Sequence, residues 1–149
     1  MADHKIQVTR TSFAEWQGGV PQGSGKVKLG SGAFEGAYSF NTRMGDAPGT
    51  NPEELLGAAH AGCFSMALAS GLTRAGHPPT SIATTAKVHF GQTDGGFAIS
   101  KIDLITEGVV PGIDDAAFQS AAAAAKAGCP LSKALAAVEI TLQATLKPA

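Results

Sequence analysis

The sequence is poor in charge and almost without thiols. Of its 149 residues 15% are charged and 44% hydrophobic, and two are cysteines. So little charge beside so much apolar content describes a globular chain with an unusually uncharged surface or a large interface. The net charge of −1 offers no field that would draw in nucleic acid or an anionic membrane. The opening MADHK leads into no apolar h-region, so no secretory signal is expected and a cytoplasmic setting is the default. There, two cysteines do not make a permanent staple. They are unrelated thiols or a redox pair that cycles. No repeat, low-complexity tract or linker interrupts the chain. One domain over 1–149 is expected, long enough for a real core, with 1–10 as a loosely ordered extension.

Charge is most absent from Leu55 to Thr73, inside NPEELLGAAHAGCFSMALASGLTRA. Asn51 can N-cap a helix there, Pro52 fits its first position, and Glu54 can close a capping box. Glu53 and Glu54 put negative charge at the positive end of the dipole. Gly76, ahead of Pro78 and Pro79, is the stop. A helix apolar on all faces is expected to be buried on all faces. Its length also suits a membrane span. His60, Ser65, Ser70 and Thr73, with Gly57, Gly62 and Gly71, argue against that, because they displace the Leu/Ile/Phe density of a span.

Around this helix the chain reads as an α+β protein. Ile6 and Val8 alternate as a strand would, as do Lys26 to Leu29 and Ala33 to Phe40, which together predict an antiparallel meander. Arg43 then sits at a strand end before the loop MGDAPGT. Ser81 to Phe90 and Phe97 to Val110 read as strands about the turn GQTDGG. Asp114 or Asp115 caps a second helix through the alanine run to Lys126. Gly128 ends it, Leu131 to Ala137 is a short helix, and Val138 to Lys147 is the last strand. Strands in runs with helices between runs indicate α+β.

Cys63 lies near the middle of the central helix, and Cys129 follows a helix-ending glycine and precedes Pro130. That loop position would leave Cys129 free to move, as a resolving cysteine must. Their spacing has no C-x-x-C or H-x₃-H signature, so a zinc site with His60 is disfavoured. A nucleophilic Cys63 must be a thiolate, and an ordinary thiol is only about a few per cent thiolate at neutral pH. Mid-helix, it needs a cation. His60, three positions earlier on the same face, is one candidate base; Arg43 is the other, with a permanent charge and a planar fork of donors. A buried arginine would need a carboxylate, and Glu53 and Glu54 are nearest in sequence. Each has a plain alternative: Cys63 as apolar filler, His60 as a core residue, Arg43 as a solvated loop charge.

The stretches FNTRMGDAPGTNPEELLGAAHAGCFSMAL and AKAGCPLSKAL, with TSIATTAKV, GGFAISKI and VPGID, resemble the OsmC/Ohr family of organic hydroperoxide reductases. The F-N-T-R and A-A-H-A segments resemble its OsmC (osmotically inducible protein C) branch, and the resemblance covers about residues 12 to 147. It implies an intertwined homodimer, with antiparallel sheets wrapped around central buried helices and two sites at the interface. It implies that Cys63 is the peroxidatic cysteine, Cys129 the resolving one, Arg43 the activating arginine and Glu53 its carboxylate partner, with Glu54 as the other candidate. The implied reaction reduces organic hydroperoxides, and hydrogen peroxide less well, through a Cys63 sulfenic acid and a Cys63–Cys129 disulfide. No metal, haem or flavin is implied. A lipoyl-type dithiol is the implied reductant, and a role in the osmotic and oxidative stress response the implied setting. A non-enzymatic dimer that binds a hydrophobic ligand or senses redox state is the alternative.

One geometric constraint is independent of the resemblance. An unbroken helix puts Glu53 and Cys63 about 15 Å apart along its axis. If both serve one site, either the helix breaks, at Gly57 for example, or the site joins two chains. The second is the expectation.

Overall fold

Trp16, Gly25 and Tyr38 explain the first sheet. The computed structural model describes residues 4–149, in two compact units that divide after Pro52. In the first unit β1 (Ser12–Gln17), β2 (Ser24–Leu29) and β3 (Glu35–Ser39) form an antiparallel sheet in that order. Gly25 pairs with Trp16 on one side and Tyr38 on the other. The two rings meet beside it, centroids 5.4 Å apart. A Cβ at Gly25 would fall 2.5 Å from Tyr38 and 2.9 Å from Trp16, so the ring pair needs glycine there. The first strand is therefore at 12–17 and not around Ile6 and Val8, which lie in a segment without helix or strand. Alternation at Ile6 and Val8 is not enough without a partner strand.

Arg43 also sits differently from the sequence expectation. The chain turns at Ser39 into a short helix, α1 (Phe40–Met44), instead of running on as a strand. Ser39 and Thr42 close a reciprocal capping box: the Thr42 N–H donates to Ser39 Oγ at 3.2 Å, and the Ser39 N–H donates to Thr42 Oγ1 at 2.8 Å. Arg43 is in the last turn of α1. The Asn51 side chain donates from Nδ2 to the Thr42 carbonyl oxygen, and the Thr50 N–H donates to Ala37 O, which folds the 45–50 loop back onto β3.

The second unit is built on α2 (Pro52–Arg74). It ends as the glycine signal predicts. Gly76 has φ +88, the His77 N–H donates to Leu72 O, and the Gly76 N–H donates to Thr73 O. The helix runs unbroken through Gly57. A Cβ there would sit 3.3 Å from Val88 and 3.4 Å from the Ala86 carbonyl oxygen, so this glycine lets α2 pass close over the sheet. Within the chain only one stripe of α2 is buried, Glu53, Gly57, His60, Phe64, Leu68 and Leu72. Met66, on another face, is 76% exposed. The expectation of burial on every face is not met inside one chain. By length and composition α2 would also suffice to cross a membrane, but its stripe packs into the core.

Beneath α2 lies a sheet of β4 (Ser81–Thr93), β5 (Gly96–Val109) and β6 (Glu139–Lys147). β4 and β5 are antiparallel about Asp94-Gly95, a tighter turn than GQTDGG suggested. β6 pairs with β5 in parallel, which corrects the expectation of antiparallel sheets throughout. The reason lies between them: α3 (Asp115–Gly128) and α4 (Pro130–Ala134) carry the chain back to the starting end, as a parallel pair requires. Ile102, Leu104 and Thr106 alternate inward from β5. With Phe64, Leu68, Leu72, Phe118, Ala122 and Cys129 they make the core. The buried Thr106 hydroxyl is satisfied by Thr84, which also accepts from Ser65 of α2.

Two stability results are expected. Phe118 is fully buried against Gly108, so Phe118→Ala should cost about 3–5 kcal/mol, read from the denaturant midpoint. A loss under about 1 kcal/mol would mean that the core is not closed around this ring. Asp103 accepts from Thr141 and His89, with Lys101 beside it, and together these hold its carboxyl down to about 2. A depressed carboxyl stabilises the fold above its ordinary range and loses that contribution as pH falls toward about 2. The melting difference between wild type and Asp103→Asn should therefore vanish in strong acid. A constant difference across pH would contradict it.

Candidate active site

α2 and the α3–α4 junction bring the two cysteines together. Cys129 closes α3, donating its N–H to Ala125 O at 2.8 Å. Its carbonyl oxygen then accepts from the Lys133 N–H at 3.0 Å, opening α4. Pro130, which fits a first helical position, makes the second helix start at once. Gly128 is the last residue of α3 and lies outside the left-handed region, so Cys129 and Pro130 end the helix. Held from both sides and fully buried, Cys129 is not the mobile loop residue that its flanking glycine and proline suggested. Cys63 is half-buried on α2 and faces it; both are free thiols, with the sulfurs 3.1 Å apart. Thiols at this separation need almost no backbone movement to form a disulfide.

The two sulfurs share one hydrogen bond and divide unequally. Burial, then the hydrogen bond with Cys129, pushes the Cys63 thiol up. Burial opposes ionisation at Cys129 too. There the hydrogen bond with Cys63 and the polar groups at the start of α4 outweigh it and pull its pKa down. Of the groups in the second unit that act on either sulfur, none is a cation. Burial thus opposes ionisation of Cys63, and a positive group beside it would offset that.

His60 does not serve Cys63. It is wholly buried, and its Nε2 lies 2.8 Å from Ser132 Oγ. Burial lowers its pKa and keeps the ring neutral. Ser132 was not singled out by the sequence. Its only signal was position, three residues after Cys129 on a helix opened by proline.

The remaining candidates stand apart from this pair along the chain. Glu53 is buried in the first turn of α2, and α2 is continuous from there to Cys63. Arg43 lies in the first unit, beside a cleft of about 210 Å³ walled by Trp16, Val20, Tyr38 and Phe40. Among the described residues no cluster of His, Cys, Asp and Glu could hold a metal ion.

Residues 45–143, which include both cysteines, match the family of OsmC-like proteins. The chain belongs to the OsmC family. Among OsmC relatives, the peroxiredoxin OsmC of Escherichia coli K12 is 53% identical over 143 residues, covering 95% of this chain and 99% of its own. The organic hydroperoxide resistance protein of Xanthomonas axonopodis pv. citri is 31% identical, over 86% of this chain and 88% of its own. The OsmC fold recurs in the crystal structure of an organic hydroperoxide resistance protein from Elizabethkingia anophelis. Its TM-score is 0.80, its identity 28%, and its coverage 97% of this chain and 100% of that one. The mixed α+β architecture is thus that of the OsmC family.

Proposed function

We propose that this chain is a thiol-dependent peroxidase that reduces organic hydroperoxides to alcohols. The observation that carries the reading is the 3.1 Å approach of two free thiols, one half-buried and one buried, in a chain of the OsmC family. Cys63 attacks the peroxide as a thiolate and becomes a sulfenic acid, releasing the alcohol. Cys129 condenses with the sulfenic acid to a disulfide and water, and a lipoyl-type dithiol reduces the disulfide. The apolar cleft beside Arg43 supports an organic substrate over hydrogen peroxide.

Arg43 and Glu53 complete the site from a second protomer. The continuity of α2 supports this, because the alternative in which the helix breaks at Gly57 is gone. The unpartnered faces of α2, with Met66 exposed, support a homodimer in which those faces are covered. The Arg43 guanidinium would then be the positive group that Cys63 lacks, with Glu53 holding its fork. The protein acts in the cytoplasm and needs no resident cofactor.

The test is a count of free thiols before and after one equivalent of an organic hydroperoxide. A fall from two to zero is expected. Two thiols that survive the peroxide would sink the enzyme reading and leave a binding protein with inert cysteines.

A further inference from the structure

Two contacts, one helical turn apart, join α2 to the start of α4. His60 Nε2 lies 2.8 Å from Ser132 Oγ, and the Cys63 and Cys129 sulfurs lie 3.1 Å apart. His60 precedes Cys63 by three residues on α2, and Ser132 follows Cys129 by three, so the two contacts pair in reverse order. The sulfur contact is reactive and the other is not. The unreactive one is buried at both ends, His60 fully and Ser132 nearly so.

α4 has little to hold it in register by itself. It is five residues long, far too short to be stable alone. Leu131 and Leu135 pack it against the core. Apolar contact is non-directional and leaves a short helix room to slide; a hydrogen bond is directional and fixes the register. Either tautomer of the neutral ring can make that bond, because a hydroxyl both donates and accepts. The far nitrogen, His60 Nδ1, is the one buried side-chain polar atom among the described residues with no hydrogen-bond partner. An apolar side chain of similar size would fill the space without leaving a nitrogen unsatisfied. Packing therefore does not account for an imidazole at this position; its bond to Ser132 does.

We infer that His60 and Ser132 are positioning residues for Cys129: their hydrogen bond holds the start of α4 in register with α2, and so sets how readily Cys129 closes on Cys63. Intramolecular reactions are steep in geometry, and a misplacement of about 1 Å can cost on the order of a hundredfold. With the bond in place, the reduced chain already holds the sulfurs together. Without it, α4 is free to shift while the thiols are reduced, and closing the disulfide must first bring it back. The coupling is reciprocal, so the disulfide in turn strengthens the bond.

The consequence for turnover rests on the peroxidase reading. There the Cys129 sulfur attacks the Cys63 sulfenic acid. An S–S bond forms, the S–O bond breaks, and the hydroxide leaves with the Cys129 proton as water. The Cys63 sulfur is reduced to the disulfide level while the Cys129 sulfur is oxidised, so no outside electrons enter. Fast closure keeps Cys63 from meeting a second peroxide and becoming sulfinic acid.

Two measurements on the whole chain test this. The first uses glutathione and no peroxide. The reduced chain and oxidised glutathione give the Cys63–Cys129 disulfide and two molecules of reduced glutathione. The fraction oxidised across a series of glutathione buffers, read by thiol trapping and mass, gives the effective concentration of one thiol at the other. Ser132→Ala should lower it on the order of tenfold. His60→Asn should lower it as much, because its amide reaches only the Nδ1 position. His60→Gln, whose amide reaches the Nε2 position, should restore most of it. Ser132→Ala combined with His60→Asn should lose no more than either alone, since both remove one bond. Ile102→Val, a fully buried change on β5 that costs stability without removing the bond, should leave it unmoved. An unchanged effective concentration in Ser132→Ala, or an equal fall in Ile102→Val, overturns the inference. If His60→Asn does not fold, Ser132→Ala, which removes one oxygen, decides alone. The second measurement is rapid-quench thiol trapping after one hydroperoxide pulse. Ser132→Ala should slow disulfide closure on the order of tenfold and raise sulfinic acid at Cys63, with sulfenic acid formation unchanged. Equal slowing of both steps would make the bond a general support and overturn its assignment to Cys129. Failure of the peroxidase reading would look different: Cys63 would stay unoxidised by the hydroperoxide in every variant, while the glutathione series would still decide whether the bond positions the pair.

Discussion

Cys129→Ser should reduce one equivalent of organic hydroperoxide and then stop. The first turnover needs only Cys63, which becomes a sulfenic acid with no thiol 3.1 Å away to close on it. Steady-state turnover with a dithiol should fall on the order of a hundredfold or more, because the resolving nucleophile is gone. Excess peroxide should then carry Cys63 to sulfinic acid, which the dithiol does not reverse. Cys63→Ser should show neither the first turnover nor later ones, and its remaining Cys129 thiol should survive the peroxide. Mass spectrometry of the two variants after a single pulse separates these outcomes: oxygen added in one, none in the other. If Cys129→Ser turned over at the wild-type rate, the disulfide would play no part and the thiols would be acting independently. If Cys129 took up the oxygen in Cys63→Ser, the roles would be reversed.

The second large effect comes from Arg43. With Arg43 as the proposed cation for Cys63, Arg43→Ala should slow sulfenic acid formation on the order of a hundredfold, with Glu53→Ala weaker in the same direction. The mixing experiment is the decisive one. Arg43→Ala and Cys63→Ser proteins, each nearly inactive, are unfolded together and refolded. If the site joins two protomers, a mixed dimer regains one intact site, with arginine from one chain and cysteines from the other. Random pairing makes about half of the dimers mixed, so activity should recover to about a quarter of wild type. If all four residues come from one chain, every site in the mixture keeps one defect and nothing is regained. Recovery at zero would therefore sink the cross-chain arrangement while leaving the chemistry of Cys63 and Cys129 in place.

Much of the local structure was legible because local physics decides it. The Gly76 stop appears as a positive-φ residue with both expected hydrogen bonds. Asp114 caps α3 through a 2.8 Å bond from the Ala117 N–H. The inward alternation of β5 is there at Ile102, Leu104 and Thr106. Where the reading failed, a partner it had not weighed decided the matter, some distant in sequence and one close by. The first strand sits at 12–17 because Trp16 has Tyr38 to pack against across Gly25, while Ile6 and Val8 have no strand to pair with. Phe40 continues the alternation of β3, yet the Ser39–Thr42 capping box turns it into helix. Gly57 looked like a weak point in α2 and is a close-packing point against Val88.

The sequence by itself determined which residues can carry thiol chemistry. Two thiols, one in an uncharged helix and one at a helix junction, define the reactive pair wherever the fold puts them, because nothing else in the chain has their chemistry. Only the tertiary structure decided that the two sulfurs meet at 3.1 Å, that β6 runs parallel to β5, and that His60 belongs to Ser132. The reason is the same in each case. A residue's type and its near neighbours set what it can do, but its partner is chosen by contacts across dozens of positions, which no local pattern encodes.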